Sequence, residues 1–112
     1  MKEIVTDNDV QEALDFLRNQ AQKAAIAKAH RLYMVEYRKT MKANVMQMHL
    51  DKPLAAQERE AYRSEKYIAH LDALKAAIQD DVFHEWKRVA SEATIEAWRT
   101  QNANRRGEGK LQ

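Results

Sequence analysis

The sequence predicts an all-α fold, a long antiparallel helical hairpin with a short connecting helix, and three observations carry that prediction. Strong structure breakers are nearly absent: in 112 residues both glycines, Gly107 and Gly109, lie among the last six positions, and the only proline is Pro53. Ala, Glu, Lys, Arg, Gln, Leu and Met dominate and β-branched residues seldom cluster, so summed propensity favours helix along the chain. Apolar residues recur at spacings of three and four. The same features argue against a turn-rich β-sandwich, a doubly wound sheet or a glycine-rich phosphate loop.

The first helix is expected from about Val10 to His49, roughly 60 Å at 1.5 Å per residue. Asp9 is its expected N-cap, with Glu12 completing a capping-box-like pair beside the positive end of the dipole. Residues 1–8 would then be a flexible N-terminus. An apolar stripe runs through Val10, Leu14, Leu17 and Ala21, then resumes after a shift through Ile26, Tyr33, Tyr37, Met41, Val45 and Met48. No stop signal comes before Asp51-Lys52-Pro53. Leu54 to Tyr62 reads as a short connecting helix, and Ser64 as the cap of a second long one.

Along that second helix Leu71, Leu74, Ile78, Val82, Trp86, Val89, Ala93 and Ala97 recur with a period near 3.7, the expected core stripe of a nearly straight helix. Trp86 falls in it, and the methionines at helical spacing are also expected in the core. The helix should end near Ala103, leaving residues 104–112 as a flexible basic tail on a single domain of residues 1–112. One seam between two helices buries little, and Leu32, Met34, Val35, Met46, Tyr67 and Phe83 remain over. A homo-oligomer, dimeric or higher, is therefore expected.

The net charge is only +2, but its distribution is uneven. Residues 21–50 carry 6 basic groups and 1 acidic one, while residues 65–98 carry 4 and 7. In an antiparallel hairpin these stretches lie side by side, so cross-helix ion pairs are one reading. The other is a phosphate-tracking face with Tyr33, Tyr37 or Trp98 stacking bases. The candidate contacts for nucleic acid or a partner are Lys28, Arg31, Arg38, Lys39 and Lys42 in the basic band, and Trp98, Arg99, Arg105, Arg106 and Lys110 towards the C-terminus.

Chemistry is thin. His30, His49, His70 and His84 share no metal-ligand spacing, and Arg88 stands where a second histidine would complete a zinc helix motif begun by His84-Glu85. There is no cysteine, and Ser64 and Ser91 are the only serines. A noncatalytic protein without cofactor or metal is expected. No apolar run approaches the ~18 residues of a membrane span, and the acidic N-terminus lacks the form of a secretory signal, so a cytoplasmic location without membrane contact is expected.

The segment Ala56-Gln57-Glu58-Arg59-Glu60-Ala61-Tyr62, followed by Tyr67, Leu71 and Leu74 and later by Ile95-Glu96-Ala97-Trp98-Arg99-Thr100, resembles small helical accessory proteins of tailed bacteriophages, encoded among replication and recombination genes. The resemblance spans about residues 30 to 105 and leaves out the acidic first 20. It implies an association with DNA metabolism in a bacterial host cell and brings no catalytic or binding residue with it. The expected function is thus a noncatalytic accessory role in DNA recombination or replication, by contact with single-stranded DNA or with a DNA-bound phage or host protein. The alternative is an inhibitor that occupies a host enzyme through a helical face. A clustered, unpaired basic surface favours the first, and an exposed Met or aromatic patch with neutralised charge favours the second.

Overall fold

The computed structural model describes residues 4–111, and side chains as far as residue 109. Its elements are α1 (Asp7–Asn19), α2 (Ala21–Met46), a short 3-10 helix (Gln47–His49), α3 (Leu54–Arg63) and α4 (Glu65–Leu111). No strand occurs among the described residues, and the fold is an all-α helical hairpin. No helix of the described residues is long and apolar enough to cross a membrane. Contacts gather into two units, one within residues 25–82 and the other within residues 1–24 and 83–112.

In the unit of residues 25–82, α2 and α4 run antiparallel, with Arg31 meeting Asp81 and His70 the Met34 carbonyl, while Lys42 of α2 meets Tyr62 of α3. Pro53, extended at φ −59° and ψ 155°, starts α3. Ser64 ends α3 and caps α4 as expected, its hydroxyl accepting from the Tyr67 amide at 3.1 Å while donating to the Ala61 carbonyl at 2.8 Å. The core is formed by Ala27, Val45, Ala61, Tyr67, Leu74 and Ala77.

The seam of α4 differs from the predicted stripe. Tyr67, His70, Leu74, Ala77 and Asp81 are buried, at alternating spacings of three and four, whereas of the predicted residues only Leu74 is buried. Leu71, Ile78, Val82, Trp86 and Val89 are exposed, as are Ile26, Tyr33 and Met48 of the predicted first-helix stripe. The reason is geometric. Two helices in sustained contact need a repeat of about 3.5, so a stripe of period 3.7 drifts off the seam and polar residues take its place. Those polar residues are satisfied: His70 Nε2 lies 2.7 Å from the Met34 carbonyl oxygen, and Asp81 holds Arg31. No buried side-chain nitrogen or oxygen among the described residues lacks a partner.

In the other unit α1 runs antiparallel to the C-terminal part of α4, with Val5 beside Gln101, Asp7 beside Trp98 and Phe16 beside Lys87. Thr6, not Asp9, is the N-cap: its hydroxyl accepts from the Asp9 amide at 3.1 Å, and the Asp9 carboxylate accepts from the Thr6 amide at 3.0 Å. That frame puts Val5 just before the cap and Val10 at the fourth helical position, and both are buried, so a hydrophobic staple selects it over a cap at Asp9. The expected continuous helix from Val10 to His49 is interrupted at Gln20, near φ −108° and ψ 0°, where the apolar stripe changes phase. Hydrogen bonds from Gln20 to Phe16 and from Ala24 to Gln20 carry the chain across. At its far end α4 does not stop near Ala103. It continues through Gly107 to Leu111, so Arg105 and Arg106 ride on the helix itself.

Candidate functional site

Half of the six cations of α2 are ion-paired. Arg31 is paired with Asp81, whose side chain is only 12% exposed, so this pair is structural. Lys39 pairs with Glu36 on its own helix at 3.4 Å. Lys42 lies 3.7 Å from Glu58 and 4.8 Å from the centre of the Tyr62 ring. The Tyr62 side chain, opposed by slight desolvation and helped by Glu58, raises the Lys42 ammonium above its ordinary pKa. Lys28 and Arg38 are exposed and carry no ion pair among the described residues. The structure thus brings part of the predicted cross-helix pairing together and leaves three cations of α2 unpaired among the described residues, Lys23, Lys28 and Arg38, spaced along the helix and not clustered.

Towards the C-terminus, the half-buried Trp98 donates its indole N–H to Asp7 at 3.2 Å, and Arg99 meets Glu96 one turn away at 3.5 Å. Trp98, Arg99, Asn102, Arg105 and Arg106 share an open surface. Arg106 has no ion pair among the described residues. The side chain of Lys110 lies outside the described residues. The carboxylates of α1 each accept from an uncharged donor: Asp7 from Trp98, Asp9 from the Thr6 amide, Glu12 from Asn8 at 3.3 Å and Asp15 from Gln11 at 2.9 Å.

Sequence reasoning missed the most exposed aromatic face. Phe83 is 60% and Trp86 69% exposed, and Val89 and Ala93 follow on the same side of α4. Phe83 is steadied by an edge-on contact with the His84 ring at 5.6 Å. Among the charges around this face, Arg88 holds Glu92 at 3.2 Å and the Lys87 ammonium lies 5.9 Å from the centre of the Phe16 ring, while Glu85 beside Trp86 has no ion pair among the described residues. At Ala93 the face joins a groove of about 910 Å³ between the N-terminal segment and α4, lined by Ile4, Val5, Ala97 and Gln101 among others. The usable signal was the heptad frame. Counting sevens from Leu74 gives Asp81 and Arg88, and from His70 gives Ala77, His84 and Ser91, which leaves Trp86 off the seam.

Among the described residues no three His, Asp or Glu side chains stand together as metal ligands. No protein-family model, curated protein or solved structure matches the chain.

Proposed function

We propose that this is a noncatalytic interaction protein that docks a protein partner on the α4 face formed by Phe83, Trp86, Val89 and Ala93. The carrying observation is the exposure of Trp86 and Phe83 beside the Arg88–Glu92 ion pair. Rigid aromatic side chains lose little entropy on binding and bury large areas, which is why such residues dominate binding hot spots. The resemblance to phage accessory proteins supports a partner from DNA replication or recombination, either a protein bound to DNA or a host enzyme held inactive. The test is capture from lysate of infected bacteria, with and without nuclease, by the wild type and by a Phe83→Ser, Trp86→Ser double variant. A protein retained after nuclease by the wild type and lost by the variant supports docking, while retention by both overturns this face as the site.

A second reading, contact with single-stranded DNA through Arg99, Arg105, Arg106 and Lys110, is supported by the uncharged partners of all four α1 carboxylates. Each phosphate contact contributes about 0.7 to the slope of log affinity against log salt. Deleting residues 104–112 removes three of those cations and should lower the slope by roughly 2. Anisotropy of labelled oligonucleotides measures it, and absence of binding at low salt discards this reading.

A further inference from the structure

On α4, Phe83, Trp86, Ala90, Ala93, Ala97 and Thr100 form one row, spaced alternately by three and four along about 25 Å of helix. Every member is exposed and none is charged. The row is uneven in size. Its first end carries the large rings of Phe83 and Trp86, 60% and 69% exposed, and the rest carries only small side chains. At that small end lies the groove of about 910 Å³, lined by Ala93, Ala97 and Thr100 of α4 and by Ile4 and Val5 of the N-terminal segment.

From this arrangement we infer that the groove receives Phe83 and Trp86 of a second copy of this chain, the two α4 helices packing antiparallel about a two-fold axis midway between Ala90 and Ala93. The inference rests on the reading that this face docks a protein, and it names that protein. A two-fold contact is self-complementary, so residue i faces j and j faces i. The spacing of the row, 3, 4, 3, 4 and 3, is the same from either end, so reversal about its midpoint lays the row on itself. Phe83 then faces Thr100 of the second copy, Trp86 faces its Ala97 and Ala90 its Ala93, and the same three contacts recur in the opposite sense. Each large ring meets a small residue inside the groove, twice over by symmetry. An unrelated protein would need either the rings or the groove; one helix face carries both, in a register that reversal matches, and that is why the occupant is a second copy. The exposed parts of the two rings amount to about 300 Å² per copy, and with the groove surfaces they cover two copies bury about 1,200 Å², the lower bound of a stable interface.

Sedimentation equilibrium of the full chain over a range of concentrations is the test, with circular dichroism confirming that each variant remains helical. The wild type should dimerise. The Phe83→Ser, Trp86→Ser variant removes the rings, and Ala97→Phe, at an exposed position, fills the groove; each should weaken the dimer about tenfold or more. Mixing the two variants should bring association back above that of either alone. In the mixed pair an intact groove meets intact rings, and the serines of the first variant leave room for the ring added to the second. A wild type that stays monomeric, variants that associate undiminished, or a mixture that fails to recover would each overturn the proposal. A monomeric wild type that still captures a lysate protein through Phe83 and Trp86 overturns the second copy alone, whereas capture undiminished in the Phe83→Ser, Trp86→Ser variant overturns the face itself.

Discussion

The two units join their helices by different means. Residues 25–82 are joined across a seam whose fixed points are ionic or polar and largely buried: Arg31 on Asp81, and His70 on a main-chain carbonyl. The other unit has a slighter core of Val5, Val10 and Ala13 with the small Ser91, whose hydroxyl bonds the Lys87 carbonyl. Its fixed points are neutral donors at the chain's start, where the Gln101 side-chain amide takes both the N–H and C=O of Val5, at 3.4 and 2.8 Å, and Trp98 takes Asp7. A seam built on partly desolvated charge fails when one partner is removed, because the other is left behind uncompensated. A clasp built on neutral hydrogen bonds at an exposed end loosens instead, because water replaces what is lost.

The largest effect should come from Leu74→Ala. It removes the largest aliphatic residue of the 25–82 seam and should cost about 3 kcal/mol, read by urea unfolding. Asp81→Ala should cost about 2 kcal/mol in the same measurement, since Arg31, 32% exposed, recovers only part of its hydration. A cost below that of Gln101→Ala would contradict the contrast between the units. Gln101→Ala frees the Val5 backbone and should cost about 1 kcal/mol, with faster amide exchange confined to the first turns of α1. Smallest is Gly107→Ala. A Cβ there meets nothing within 4 Å and the backbone is already helical, so the variant should gain about 0.5 kcal/mol in the last turns of α4, seen as slower amide exchange there.

Local chemistry was legible in the sequence. Ser64 and Pro53 act within a turn of themselves, so their roles are the same in the peptide and in the fold. The pairing of the basic stretch of α2 with the acidic stretch of α4 was likewise legible from charge counts, and Arg31 with Asp81 realises it. The seam was not. Apolarity pointed to Ile78, Val82 and Trp86, whereas the choice between them and His70, Ala77 and Asp81 depends on the repeat that two packed helices impose together, which neither helix specifies alone. The start of α1 was misplaced by three residues because Thr6 and Asp9 both suit a cap, and what separates them is the burial of Val5 beside α4. Of the candidate contacts, Arg31 proved structural and Trp98 tied, while Arg106 stayed open.

The ion pair of Arg31 with Asp81 also bears on slippage. Aliphatic seams are nearly invariant when one helix slides by a whole heptad, about 10 Å, and so accept several alignments at similar cost. Here a slide of α4 by one heptad would face Arg31 with Leu74 in one direction, stranding its charge in the seam, and with Arg88 in the other, setting like charges together. The same slide would bring Ala77, which has no side-chain donor, to the Met34 carbonyl in one direction, and would carry that carbonyl past the start of α4 in the other. Neither displaced alignment keeps both contacts, so two polar contacts hold one alignment against its neighbours.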